Sequence, residues 1–196
     1  RFPEIRLHSA GPAPVWQTWL EAVRADLGWH VFSEDPRASI GDVLRDHLAE
    51  ADATLAVAES CTGGLIGDLL TDAPGISAHL LADLVCYSNA AKTALLGVDA
   101  ALIETHGAVS EEVARAMADG ARARTGATFG VATTGIAGPG GGTDDKPVGT
   151  ICLAVSHAGE TRSWRHCFRG LDRRRFKQLV AWAALARLRT AIIDQR

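Results

Sequence analysis

Hydrophobic positions along this chain recur with two periods, and the switches between them mark out its elements. Val15-Trp16-Gln17-Thr18-Trp19-Leu20-Glu21-Ala22-Val23 reads as a short amphipathic helix, Trp29 to Phe32 as a strand, and Ser33 to Pro36 as a turn. From Ile40 the pattern is regular. Ile40, Val43, Leu44 and Leu48 lie at helical spacing behind Ser39, a good N-cap. The apolar run Thr54 to Ala58 predicts a buried strand, and Leu65, Ile66, Leu69 and Leu70 predict a helix after it. Leu80 to Tyr87 is a second strand, followed by a helix carrying Ala91, Ala94, Leu95 and Leu96 and a short one from Ala101 to Thr105. Ser110 caps a helix that opens on Glu111 and Glu112, suited to its positive end, and buries Val113, Met117 and Ala121. Phe129 to Thr133, Val148 to Val155 and Thr161 to Phe168 are strands, the last two joined as a hairpin with a four- or five-residue loop. Phe176, Leu179, Val180, Ala183 and Leu188 mark a long terminal helix. Strands alternating with helices, closed by a hairpin, predict an α/β domain with a mixed sheet. Residues 1–37, rich in Pro and Trp, stand apart from the regular pattern of 38–196.

Composition narrows the function classes. The chain has 196 residues, 47% hydrophobic and 22% charged, with a formal net charge of −3, ordinary for a soluble domain. That balance gives no electrostatic case for nucleic acid or an anionic membrane surface. No apolar run approaches the roughly 18 residues needed to span a bilayer, and Phe2 to Ser9 lacks the apolar stretch of a signal peptide. Cys61, Cys86, Cys152 and Cys167 are far apart with no CxxC pair, which favours a reduced, cytoplasmic protein. The histidines form no HxxxH pair, so no metal site is expected.

Three segments carry candidate chemistry. In Ala58-Glu59-Ser60-Cys61-Thr62-Gly63-Gly64-Leu65 a strand enters a tight turn and then a helix. Ser60 therefore sits beside a helix N-terminus, where a phosphate or a developing oxyanion is favoured. An ordinary turn with a Ser or Thr as N-cap is the plain alternative. Thr133-Thr134-Gly135-Ile136-Ala137-Gly138-Pro139-Gly140-Gly141-Gly142-Thr143 matches neither a P-loop nor a dinucleotide fingerprint. It reads equally as a flexible surface loop or as a shaped one that lets backbone approach a ligand. Tyr87-Ser88-Asn89-Ala90-Ala91-Lys92 leaves the second strand as Ser60 leaves the first. In a parallel sheet both ends lie on one edge, which brings Lys92 within reach of Ser60; a solvated helix lysine is the alternative.

AESCTGGL, YSNAAK, LLGV, HGAVSEEVA, TGIAGPGGGT and KPVGT occur here in this order. Together they resemble the C-terminal domain of the CinA family, nicotinamide-nucleotide amidases that hydrolyse nicotinamide mononucleotide. The resemblance runs from about Ser39 to the C-terminus. It implies a three-layer α/β/α fold with a mixed, mostly parallel sheet, and a serine amidohydrolase needing no metal or cofactor. Ser60 would be the nucleophile and Lys92 the general base, with Tyr87 orienting or relaying protons. Backbone around Cys61, Thr62, Gly63 and Gly64 would hold the oxyanion. Thr134, Gly135, Gly138, Gly140, Gly141 and Thr143 would line the nucleotide site. Arg173 or Arg174, in a segment that resembles the family's Gly-Asp-Arg but carries Leu171 as an insertion and Lys177 in place of arginine, would bind phosphate. The resemblance also implies a homodimer, to which Trp16 and Trp19 are suited. Residues 1–37 resemble the tail of the region linking this domain to a larger one in longer CinA proteins. That larger domain has no counterpart in this sequence, and its pyrophosphatase activity is not expected here.

One other mechanism and two other roles stay open. Cys61 neighbours Ser60 and is intrinsically the stronger nucleophile. A nucleotide-sensing or partner-docking module without chemistry is the second reading, though it has no need of a base beside a serine. A DNA-associated role lacks a basic stripe or stacking aromatics.

Overall fold

The computed structural model describes residues 12–27 and 31–195. Its elements run α1 (Ala13–Leu27), α2 (Ile40–Glu50), β1 (Leu55–Glu59), α3 (Leu65–Thr71), β2 (Leu80–Val85), α4 (Asn89–Leu96), α5 (Ala100–His106), α6 (Glu111–Thr125), β3 (Phe129–Gly135), β4 (Thr150–His157), β5 (Glu160–Cys167) and α7 (Arg173–Asp194). The five strands form one sheet in the order β2-β1-β3-β4-β5. β1 pairs in parallel with β2 and β3, whereas β3–β4 and β4–β5 are antiparallel. The sheet is thus mixed, with a parallel core, as the alternating pattern predicts. No helix among the described residues is long and apolar enough to cross a membrane.

Strand alternation builds the layers. Leu55 and Val57 of β1 face one side, where they join Leu44 and Leu48 of α2, Ile66 and Leu70 of α3, and Leu185 and Leu188 of α7 in one core. Ala56 and Ala58 face the other side, with Ala132, Cys152 and Ala154, beneath Val113, Met117 and Ala121 of α6 and the inward residues of α4 and α5. The small side chains on this second face let α6 lie close to the sheet. Gly130 shows how close: a Cβ there would stand 2.2 Å from the carbonyl oxygen of Ala118.

The hairpin differs from expectation. His157 pairs with Glu160 across the ladder, so the connection is only Ala158-Gly159, with Gly159 at a φ of +89° that this tight turn favours. Both strands extend past the apolar stretches that marked them. At the other end, Val31 and Phe32 form no strand, and Trp29 and His30 lie outside the described residues. Phe32 instead packs edge-on against Trp182 of α7, ring centroids 5.5 Å apart. Helix α1 is longer than predicted and largely exposed. Trp16 and Trp19 pack on each other at 5.4 Å.

Candidate active site

Topology gathers the three chemical segments. β1, β2 and β3 all end on one edge of the sheet, and the antiparallel β4 starts there, so the loop 136–149 crosses that same edge. β5 also ends there and leads into the N-terminus of α7. This is the carboxyl edge where α/β sheets usually bind ligands.

The turn carrying Ser60 is shaped by the residue before it. Glu59 is fully buried, and its carboxylate accepts hydrogen bonds from the N–H groups of Gly64, Ile66 and Gly67 at 2.9, 2.7 and 3.0 Å. These are the first donors of α3, so a carboxylate five residues upstream replaces the Ser or Thr cap of an ordinary turn. Gly64, at the N-cap position, has a φ of +90° and caps nothing with a side chain. The turn is pinned further by Ser60 N–H to the Thr133 carbonyl at 3.0 Å and Cys86 N–H to the Glu59 carbonyl at 2.7 Å.

Because Glu59 occupies the helix donors, the N–H of Gly64 is not available for an oxyanion. Those of Cys61, Thr62 and Gly63 donate to no acceptor among the described residues and remain for that task.

Lys92 comes from α4, a helix opened by Ser88, whose hydroxyl accepts from Ala91 N–H. Its side chain is only 1% exposed, and Nζ stands 3.2 Å from Ser60 Oγ. The carbonyls of Cys86 at 3.0 Å and Tyr87 at 3.4 Å accept from the same nitrogen. Burial holds the Lys92 amine below its ordinary pKa, opposed by the neighbouring thiols Cys86 and Cys61. Two carbonyls fix the amine without the carboxylate that would keep it charged.

The neighbours of Ser60 point elsewhere. Cys61 turns into an apolar cluster with Ala137, Ile151, Phe176 and Val180, and burial pushes its thiol up to about 12. A thiol in that state is a poor candidate nucleophile. Thr62 is buried against Thr133, their hydroxyls 2.8 Å apart. The Thr134 hydroxyl donates to the Ala108 carbonyl at 2.8 Å. The hydroxyls of Thr62 and Thr134 are thus engaged in packing, and both side chains are buried.

The glycine loop is shaped. Gly135 has no room for a side chain, since a Cβ would meet the Thr150 carbonyl oxygen at 2.9 Å and Cys61 Sγ at 3.1 Å. Gly138, at a φ of +74°, would place one 2.6 Å from Val148. Thr143 and Lys146 close the loop on itself, N–H of Thr143 to the Lys146 carbonyl at 2.9 Å and Lys146 N–H to the Thr143 hydroxyl at 3.1 Å. The Lys146 amine then ties it to the C-terminus of α5 through the His106 carbonyl at 2.6 Å. Gly140 and Gly141 are exposed at its tip.

Arg173 spans the mouth. Its guanidinium donates to the Gly138 carbonyl at 2.8 Å and to the Tyr87 hydroxyl at 2.7 Å. The Tyr87 ring is exposed, so its phenol faces Arg173 and only its backbone carbonyl touches Lys92. Arg174 is exposed on the next position of α7, and Arg175 pairs with Asp172 at 3.5 Å. Arg173 is therefore the arginine brought to the site.

Three residues here were not singled out as site groups by sequence. Glu59, buried, and Asp83, half-buried, bring their carboxyls together beneath α3. Lys177, one helical turn after Arg173, brings its amine to the outside of the Ser60 turn, 3.4 Å from where a Gly63 Cβ would stand. The i, i+4 spacing of Arg173 and Lys177 is the one signal in the sequence that places both on one face.

Comparison with known proteins gives this site a family. The model of the CinA C-terminal domain matches residues 37–192. A CinA-like protein of Desulfosudis oleivorans is 46% identical over 200 residues, covering 98% of this chain and 48% of that protein. One from Chlorobaculum tepidum is 54% identical over 137 residues, 70% of this chain and 32% of its own length. The chain thus spans about half, or less, of the curated relatives it matches. Among solved structures, the competence/damage inducible protein CihA from Agrobacterium tumefaciens superposes with a TM-score of 0.75 at 38% identity, covering 78% of this chain and 93% of that one. A CinA superfamily protein from Klebsiella pneumoniae 700603 gives 0.75 at 30% identity, covering 79% and 96%. The chain belongs to the CinA family, and residues 37–192 are its C-terminal domain.

Proposed function

We propose that this domain is a serine amidohydrolase that converts nicotinamide mononucleotide to nicotinate mononucleotide and ammonia. The observation that carries the reading is the buried Lys92 amine, without a carboxylate partner, 3.2 Å from Ser60 Oγ. A serine hydroxyl is a weak nucleophile until a base takes its proton, and a lysine serves as base only when neutral. Burial moves the Lys92 amine toward that condition by lowering its pKa.

In this mechanism Lys92 takes the Ser60 proton as Oγ bonds to the carboxamide carbon. The N–H groups of Cys61 to Gly63 receive the oxyanion, each well-placed donor contributing about 3–4 kcal/mol in comparable sites. Lys92 returns the proton to the departing nitrogen, which leaves as ammonia. Water, deprotonated by the same amine, then cleaves the Ser60 ester and restores the hydroxyl. Arg173 at the mouth suits the substrate phosphate, since its planar fork matches phosphate oxygens. The glycine loop would form the wall of the nucleotide site. A cytoplasmic homodimer belongs to the same reading, and sedimentation velocity distinguishes it from a monomer.

The direct test is ammonia release from nicotinamide mononucleotide, with chelator present, by the wild-type chain and Lys92→Met. Release by the wild type that falls by roughly 10²–10⁴-fold in the variant is the expected outcome for loss of a general base. A folded wild type that binds the nucleotide and releases no ammonia would instead make the domain a sensing module.

A further inference from the structure

Beneath the Ser60 turn lie two carboxyls that the mechanism above does not use. Asp83 sits on β2, paired with Val57 of β1, while Glu59 pairs with Val85 two residues on. Asp83 therefore flanks Glu59 on the neighbouring strand, and the two carboxyls interact directly. Helix α3 crosses directly above. Its Gly67 leaves space that a side chain would fill, because a Cβ there would stand 2.1 Å from Asp83 Oδ2.

No cation forms a salt bridge with either carboxyl among the described residues. Asp83 Oδ1 is buried with no hydrogen-bond donor. A carboxylate so placed would repel Glu59 and leave a lone pair unsatisfied, whereas a neutral carboxyl bonded to Glu59 does neither.

We propose that Asp83 is a positioning residue: its carboxyl gives a hydrogen-bonding proton to Glu59, and the pair fixes the turn that carries Ser60. Glu59 has to present one oxygen to Gly64 and the other to Ile66 and Gly67. A proton from Asp83 holds it at that angle from the side opposite Ser60's strand partner β3. The groups facing Asp83 are Glu59 from β1, the Gly67 N–H from α3 and, beyond the end of its own strand, the Cys86 thiol, itself pushed up by burial. Burial, reinforced by Glu59, raises Asp83 to about 7. Its proton is consequently lost just above neutrality, and with it the support for the turn.

The kinetic consequence rests on the amidase reading; the titration does not. The Asp83 γ-carbon, assigned by its disappearance in Asp83→Asn, is followed by carbon NMR against pH. It should titrate with a midpoint about 7; a carboxyl already ionised at pH 5 overturns the proposal. In the ammonia assay, Asp83→Asn donates to Glu59 at every pH. It should keep near-wild-type kcat and lose the fall above neutrality that the proposal predicts for the wild type. Asp83→Leu cannot donate, and kcat should fall about a hundredfold with KM little changed, as for a displaced catalytic group. An Asn variant as damaged as the Leu variant, or one with an unaltered pH profile, contradicts the proposal. Should Asp83→Leu fail to fold, the Asn variant and the titration still decide. A wild type that releases no ammonia refutes the amidase reading and leaves the carbon titration to judge Asp83.

Discussion

Replacing Glu59 by Gln tests whether the turn beneath Ser60 is built as described. The carboxylate accepts three backbone N–H bonds, at 2.9 Å on one oxygen and at 2.7 and 3.0 Å on the other. Gln keeps one oxygen, which can retain Ile66 and Gly67, but turns an NH2 toward the Gly64 N–H. Losing the charge on the two retained bonds costs about 1 kcal/mol each, from the difference between charged and neutral acceptors. The unsatisfied Gly64 N–H adds about 1–3 kcal/mol. The total, about 3–5 kcal/mol, corresponds to a fall in Tm on the order of 6–20 °C for a domain of this size. Thermal melts and urea titrations of the purified chain read this directly, with the urea slope confirming two-state behaviour. A variant melting within about 2 °C of the wild type would refute the assignment of Glu59 as the cap of α3.

Three further outcomes follow from the site. Because burial lowers the Lys92 amine from its ordinary 10.5, the unfolded chain binds that proton more tightly, and wild-type stability rises with pH between the lowered value and 10.5. The Tm of Lys92→Met relative to wild type should therefore be highest at neutral pH and decline toward pH 10; a flat difference would mean the amine is charged in the fold. Asp83 has the opposite sign. Its raised carboxyl contributes stability below the ordinary 3.8 that is lost as pH rises to about 7, so Asp83→Asn should melt above the wild type at pH 8 and alongside it at pH 4. Arg173→Ala should raise KM for nicotinamide mononucleotide by about 10–100-fold, the range for a lost charge-assisted bond, with kcat little changed. The same variant should leave KM for the riboside, which has no phosphate, near the wild-type value, and an equal loss on both substrates would remove Arg173 from phosphate recognition.

Elements with strong local periodicity were legible in the sequence: β1 as a continuous apolar run, α2 with its Ser39 cap, α6 with Ser110 and its two glutamates. Ser39 and Asp42 even form a reciprocal capping box. The proximity of Ser60 and Lys92 was legible too, because parallel strands place their carboxyl ends together and both residues follow such ends. What escaped depended on partners distant in sequence. The α3 cap was hidden because its ligand lies inside a strand, where a buried Glu59 reads as an interruption rather than a cap. Gly67 and Gly130 have no local reason to be glycine; one makes room for Asp83 and the other for α6. The hairpin was placed too wide because His157 and Glu160 are polar yet pair across the ladder. That the Tyr87 hydroxyl accepts from Arg173, 86 residues away, was likewise not legible in the sequence.

The central claim is that Ser60 performs nucleophilic attack with Lys92 as its base. The most direct measurement is the rate of ammonia release from nicotinamide mononucleotide by Ser60→Ala and Cys61→Ala, each shown to be folded by its melting curve. The account predicts that Ser60→Ala loses turnover while Cys61→Ala, whose thiol is buried in the apolar cluster with Phe176 and Val180, retains it. Turnover that survives in Ser60→Ala and vanishes in Cys61→Ala would contradict it and move the chemistry to the neighbouring sulfur.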